Sequence, residues 1–304
     1  MNKRQGDAET RRRGEKETRR KGKPAQLDSL FRRVSASPRP RVPLITLLTD
    51  FGTADYFVGA MKGVILSRNP EARIVDITHE IPAHDIQSGA FTLFAVYKDF
   101  PEGTIHVCVV DPGVGSSRHP ILVEAGDYYF VGPDNGIFSF VYERETDFRV
   151  FHLTRAEFFR KPVSNTFHGR DIFAPVAAAI SKGAKPSELG EEITNYVRLD
   201  AISPVRMDDG ELEAAVIHID RFGNCVTSLK REHLPDDFAS GCVRLLVNGQ
   251  EIISHRNHFS ESEDANDCLF TIWGSAGFLE IAASRASAEK ILNAARGQKI
   301  KVKR

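Results

Sequence analysis

Three short stretches of the chain hold side chains of the kind that move protons or grip polar ligands. They are Thr49-Asp50-Phe51-Gly52, the run from Asp111 through Pro112-Gly113-Val114-Gly115 to Arg118, and Asn165-Thr166-Phe167-His168-Gly169-Arg170-Asp171. A Pro-Gly-Val-Gly loop is not helical, and it lets Arg118 fold back toward Asp111. A cation held there keeps the carboxylate ionised. Each group also has a structural reading. Asp50 at a strand end can cap the next turn. Asp111 and Arg118 can be an ion pair that only ties a loop. His168 can be a satisfied core histidine, and Asp171 reads best as the cap of the helix that begins there. The glycine-rich loop lacks the Gly-x4-Gly-Lys spacing of a phosphate cradle. Asp111, His168, His79 and His84 are metal-ligand types without a His-Glu-x-x-His or His-x-His spacing, so no metal is expected.

The elements that must position these groups follow from the apolar patterning. Leu44 to Asp50 reads as a buried strand that ends in a carboxylate, with Gly52 as its turn. Phe57 to Leu66 has helical character and stops at Asn69-Pro70. Arg73 to Thr78 is a second strand, and Asp85 to Tyr97 a second helix, with Ile86, Ala90, Leu93, Phe94 and Tyr97 on one face. Thr104 to Val110 is a third strand, which again delivers an aspartate, Asp111, at its end. Alternating strands and helices predict parallel βαβ units, whose ligands bind beyond the carboxyl ends of the strands. Tyr128 to Val131 adds a strand before the turn Gly132-Pro133-Asp134-Asn135-Gly136, and residues 171–182 an Ala-rich helix with Gly183 as its cap.

From about residue 205 the texture becomes β-rich. Strands are expected over Ala214–Asp220, Cys225–Leu229, Val243–Val247, Glu251–Ser254, Leu269–Trp273 and Phe278–Ala282. Asn248-Gly249 is a hairpin turn signal. The expected organisation is an α/β domain over 42–203 with a largely parallel central sheet flanked by helices, then a smaller all-β, barrel-like domain over 204–304.

The 304 residues carry no net charge, but residues 1–41 hold fourteen Lys or Arg against five Asp or Glu. This segment reads as a basic, disordered tail with little to bury, able to touch nucleic acid but not expected to. Asp7, Glu9, Glu15 and Glu17 argue against a transit peptide, and no apolar run suggests a secretory signal or a membrane span. Cys108, Cys225, Cys242 and Cys268 show no Cys-x-x-Cys spacing. Reduced, buried thiols in a cytoplasmic protein are the expectation.

Taken together, Thr-Asp-Phe-Gly (49–52), Val-Asp-Pro-Gly-Val-Gly-Ser-Ser-Arg (110–118), Val-Gly-Pro-Asp-Asn-Gly (131–136), Phe-His-Gly-Arg-Asp-Ile-Phe (167–173) and Asp-Arg-Phe-Gly-Asn (220–224) resemble the S-adenosyl-L-methionine (SAM) hydroxide adenosyltransferases, relatives of the SAM-dependent fluorinase and chlorinase. The similarity runs from Leu44 nearly to the C-terminus. It implies a homotrimer in which SAM lies between the N-terminal domain of one subunit and the C-terminal domain of its neighbour. It also implies hydrolysis to adenosine and methionine without metal or cofactor. The family's water-activating set falls on Asp111, Arg118 and His168, and its ribose carboxylate on Asp50, beside Phe51. Asp220, Phe222 and Asn224 fall where family members meet the methionine part or the base. Ser275 and Glu280 fall where SAM or adenine is hydrogen-bonded.

The implied chemistry suits this inventory. A sulfonium leaves as a neutral thioether, so no acid or metal has to stabilise the departing group. Arg118 stays protonated and can only steady a developing hydroxide. Asp111 or His168 would take the proton. Retention of Arg118 and His168 favours water over halide as nucleophile. A non-catalytic SAM- or adenosine-binding protein of the same fold is the alternative.

Overall fold

The computed structural model describes residues 44–303 except 201, 202, 209, 236, 237, 239–242 and 262–267. The expected basic tail and Cys242 lie outside the described residues. The N-terminal sheet has seven strands: β1 (Leu44–Thr49), β2 (Arg73–Thr78), β3 (Ile105–Val109), β4 (Pro120–Ala125), β5 (Tyr128–Pro133), β6 (Phe148–Leu153) and β7 (Gly190–Ile193). Their order across the sheet is β2-β1-β3-β5-β4-β6-β7. The ladders from β2 to β5 are parallel, and those joining β4 to β5, β6 to β4 and β7 to β6 are antiparallel. The parallel half carries Asp50 and Asp111.

β1 is buried at every position after Leu44 because both faces of the sheet are covered. Ile45 and Leu47 pack on one side with Met61 and Ile65 of helix α1 (Phe57–Arg68). Leu48 points to the other side, toward Ala90, Leu93 and Phe94 of α2 (Ile86–Val96). Each fully buried Leu or Ile contributes on the order of 1.5–3 kcal/mol. α1 ends at Asn69, which is extended, and Pro70 follows. α2 begins where the Asp85 carboxylate accepts the Ser88 N–H at 3.0 Å.

The chain leaves β1 toward β2 and returns across it to β3. The sheet therefore reverses its winding between β1 and β3, the kind of crevice where open α/β sheets bind ligands. Three shorter helices follow in this half: α3 (Ser139–Arg144), α4 (Ala174–Ser181) and α5 (Pro186–Leu189).

The C-terminal half comprises β8 (Val205–Arg206), β9 (Leu212–Ile219), β10 (Cys225–Lys230), β11 (Arg244–Val247), β12 (Gln250–Ile252), β13 (His255–Arg256), β14 (Leu269–Trp273), β15 (Phe278–Ala283), helix α6 (Ala288–Leu292) and β16 (Lys299–Lys303). The strands form one sheet in the order β12-β11-β16-β9-β10-β15-β14-β13, with β8 beside β9. The expected hairpin joins β11 and β12, and Asn248 and Gly249 both have positive φ, as its tight turn requires. β12 and β14 touch without pairing, so the sheet curls into a half-barrel rather than closing.

This sheet packs on α2. Ile217, Val226 and Phe278 share a core with Phe91, Phe94 and Phe140, and the Phe91 ring stacks on His218 at 4.6 Å. Arg296 closes the contact by donating to Asp85 and, at 3.1 Å, to the Ser88 hydroxyl. Among the described residues no helix is long and apolar enough to cross a membrane.

Candidate active site

Thr49 of β1 pairs with Val109 of β3, so Asp50 and the Asp111 loop emerge side by side at the winding reversal. The Asp50 Oδ2 accepts the backbone N–H of His84 at 2.8 Å. His84 presents that N–H from a left-handed conformation, with φ of 66°. The Val-Gly-Pro-Asp-Asn-Gly turn braces the neighbouring strand end, because Asn135 Nδ2 donates to the Val110 carbonyl at 2.8 Å.

Arg118 does fold back. Its Nε donates to Asp111 Oδ1 at 2.9 Å, and its Nη2 donates to Asp111 Oδ2, a two-point grip on the carboxylate. The same Nη2 lies 2.8 Å from His168 Nδ1. The side chains of Arg118 and Asp111 are only 9% and 4% exposed. A guanidinium has no acceptor, so His168 Nδ1 must be the acceptor and its ring proton sits on Nε2. Burial, and then the nearby Arg118 charge, hold His168 below the usual histidine range, so the ring is neutral at pH 7. Arg118 thus commits three of its five N–H groups. The remaining two, on Nη1, are buried and have no hydrogen-bond partner among the described residues.

The approach of the two loops depends on Gly115. It sits at φ of 79°, and a Cβ there would lie 2.3 Å from the Asn165 carbonyl oxygen. His168 itself precedes a π-helical turn, Gly169–Phe173, that leads into α4. Asp171 does not cap a helix, which corrects the sequence expectation. Its fully buried carboxylate receives the Ser164 N–H at 2.9 Å, Arg160 Nη1 at 3.1 Å, and Arg170 Nε and Nη2 at 2.7 and 2.9 Å. Burial opposes its charge, but these donors outweigh it and hold the carboxyl below the usual range. Asp171 therefore ties down the loop that delivers His168.

Phe51 is half-buried, edge-on to Phe167 at 6.0 Å and beside Phe57 at 5.6 Å. Tyr56, which the sequence did not single out, stacks on Phe57 at 4.5 Å and is 67% exposed. An exposed tyrosine at a loop tip gives no signal without its neighbours.

The other five expected residues come together elsewhere. Asp220, Phe222, Asn224, Ser275 and Glu280 line one cavity of about 730 Å³ together with Phe259, Trp273 and Arg285. The last three lie outside the motifs that the sequence singles out. Asp220 accepts the N–H groups of Phe222 and Asn224 and the Asn224 side-chain amide, each at 2.9 Å, so it shapes the turn and aims Asn224. Phe222 is 78% exposed. Glu280 packs over Gly274, where a Cβ would meet its Oε1 at 1.9 Å. Burial, then the charge of Asp220, push the Glu280 carboxyl up to about 7. Every lining residue of this cavity lies between 220 and 286, so Asp50, Asp111, Arg118 and His168 form no part of its wall. Among the described residues no group of three or more His, Cys, Asp or Glu could hold a metal ion.

Known proteins resemble this chain over most of its length. The chain is 39% identical over 260 residues to an "(R)-S-adenosyl-L-methionine hydrolase" of Methanocaldococcus jannaschii, covering 82% of the chain and 92% of that protein. It is 34% identical over 265 residues to the protein of the same name from Thermus thermophilus, covering 85% of the chain and 98% of the relative. A crystal structure of an uncharacterised conserved protein from Thermotoga maritima superposes with a TM-score of 0.76 at 34% identity, covering 86% of this chain and all of that one. The models of the N-terminal and C-terminal domains of SAM hydroxide adenosyltransferases match residues 45–190 and 214–301. With both domain models matched in order, and the Asp111–Arg118–His168 constellation assembled at the mouth of the first, the chain belongs to the SAM hydroxide adenosyltransferase family.

Proposed function

We propose that the protein hydrolyses SAM to adenosine and L-methionine by in-line attack of water on ribose C5′. The observation that carries this reading is the division of labour at Arg118. Three N–H groups hold Asp111 and His168, and two buried N–H groups on Nη1 remain for an oxygen nucleophile. Unmet buried donors of a charged group are costly, and an anionic oxygen is the partner that suits them best. As the C5′–S bond breaks, its electron pair goes to sulfur and cancels the sulfonium charge. The water oxygen forms the new bond to C5′ and must lose a proton. His168 Nδ1 is occupied by Arg118 and its Nε2 already carries a proton, so this geometry favours Asp111 as the acceptor, through a lone pair that Arg118 does not use. His168 then orients the guanidinium and can donate from Nε2. Asp50 has one oxygen held by His84 and the other suited to a ribose hydroxyl.

The cavity around Asn224, Ser275 and Glu280 serves as the second wall in this reading, contributed by a neighbouring subunit of a homotrimer. The exposed Phe222 and Tyr56 belong to faces that assembly would cover. No metal enters the mechanism, and chelation by EDTA is expected to leave turnover unchanged. The curated relatives are named for the R epimer at sulfur, and we extend that preference to this chain. The buried free thiols of Cys108 and Cys225 suit a reducing, cytoplasmic setting. The deciding experiment is incubation with SAM in oxygen-18 water without added metal. Adenosine labelled at the 5′ oxygen, with methionine released, is the expected result. Bound SAM with no turnover would move the reading to a binding protein.

A further inference from the structure

A chain of polar contacts runs from the protein surface to the base of the Asp50 turn. Lys62 Nζ contacts Asp76 Oδ2 at 2.5 Å, and Asp76 Oδ1 lies 3.1 Å from His79 Nε2. His79 Nε2 makes no hydrogen bond among the described residues, so this second contact acts through the carboxylate charge. His79 is buried, and its Nδ1 lies 2.9 Å from the hydroxyl of Thr49, which is fully buried. Thr49 Oγ1 in turn accepts the backbone N–H of Phe51 at 3.2 Å. A carboxylate beside Nε2 favours the tautomer with the proton there, because a lone pair would face negative charge. Nδ1 then accepts the Thr49 O–H, and the Thr49 oxygen is left to accept from Phe51. Each link has one sensible direction.

The same loop grips the turn through its backbone. Gly52 N–H donates to the His79 carbonyl at 2.7 Å, and Ile81 N–H reaches the Thr49 carbonyl at 3.4 Å. His84 N–H holds Asp50 Oδ2. Thr49, Asp50, Phe51 and Gly52 are thus all tied, directly or through one atom, to residues 79–84. Nothing in catalysis uses His79, yet a buried imidazole between a carboxylate and a hydroxyl is a costly way to fill space.

We propose that His79, set by Asp76 and acting through Thr49, is a positioning residue that fixes the Asp50 carboxylate for the ribose diol. The role rests on Asp50 being the ribose carboxylate. A carboxylate that accepts two hydroxyls must be aimed, and the 49–52 turn has no other side-chain brace of this kind among the described residues. The substitution that isolates the effect is Thr49→Val, which keeps the buried volume and removes the hydroxyl. Thr49→Ser restores it.

Adenosine and 2′,3′-dideoxyadenosine are titrated into the full-length wild type, Thr49→Val, Thr49→Ser and His79→Gln by calorimetry, with SAM turnover followed in parallel. Thr49→Val is expected to weaken adenosine about fivefold to tenfold, the value of one hydrogen bond. It should leave dideoxyadenosine unchanged, and Thr49→Ser should recover most of the loss. His79→Gln should show the same selectivity. Equal weakening of both nucleosides, or of neither, overturns the positioning role while SAM turnover by the wild type leaves the hydrolase reading intact. Absent turnover by the wild type would overturn the hydrolase reading, and a wild type that bound both nucleosides equally would remove the ribose assignment and the positioning role with it.

Discussion

Replacing Arg118 by lysine keeps a positive charge beside Asp111 and removes the planar fork, which separates chemistry from binding. In the wild type Nε and Nη2 hold Asp111 and His168, while Nη1 keeps two donors. A lysine ammonium offers three N–H groups from a single atom. The nearly buried Asp111 carboxylate claims them first, and the attacking oxygen loses its donors. Losing a donor to a developing oxyanion costs about 3 kcal/mol, so kcat should fall about 10²- to 10³-fold. In the proposed mode SAM is held by Asp50 and the second-sheet cavity, so KM should move by less than roughly threefold. Retained charge keeps the stability loss near 1–2 kcal/mol, whereas Arg118→Ala strands a buried carboxylate at about 3–5 kcal/mol. The assay is steady-state adenosine release by chromatography, with a thermal melt to confirm folding. A folded Arg118→Lys protein with kcat within fivefold of wild type, or a loss confined to KM, would show that Nη1 does not stabilise the attacking oxygen.

Three further outcomes follow from the same geometry. Inactive Arg118→Ala and Asn224→Ala subunits, exchanged in equal amounts, should regain activity, because each site would take its halves from two neighbours; random mixing leaves about one site in four intact, hence about a quarter of wild-type turnover. No recovery after verified exchange would put both halves in one subunit. Glu280 holds its proton up to about 7 in the folded protein against 4.5 ordinarily, so its contribution to stability is present below 4.5 and is lost as pH rises toward 7. Glu280→Gln should therefore match wild type at pH 4.5 and exceed it at pH 8 by roughly 1–2 kcal/mol, allowing for the partial solvent access of the carboxyl, as read by urea denaturation. Asp171→Asn should lower stability by about 2–4 kcal/mol and reduce kcat more than KM, since it weakens the buried set that anchors the His168 loop; unchanged melting would show that Arg160, Arg170 and Ser164 do not depend on its charge.

The reach of the sequence ended where partners stop being neighbours in the chain. β1 and β3 were legible because their apolar runs are local, and so was the delivery of Asp50 and Asp111 at their ends. Arg118 was legible because Pro-Gly-Val-Gly turns it back over seven residues. β4, β6 and β7 and their antiparallel pairing were not, and β7, Gly-Glu-Glu-Ile with both glutamates exposed at the sheet edge, carries no apolar run to mark it. Asp171 shows the limit most clearly. Its position ahead of an Ala-rich segment is what a helix cap looks like, and only the fold reveals that the carboxylate turns back to Ser164 and two arginines. His79 is thirty residues from Thr49, and their contact depends on the pairing of β1 with β2. Motifs therefore mark the groups proposed to meet the substrate, whereas the groups packed behind them are set by strand order. This explains why each half of the site looks complete by itself. In the proposed mechanism the first sheet supplies a nucleophile cradle whose hydrogen bonds are internal to it, and the second sheet lines a cavity whose walls are all its own. On that proposal, a substrate long enough to touch both, with its reacting carbon between a ribose and a sulfonium, gives the two halves a common purpose.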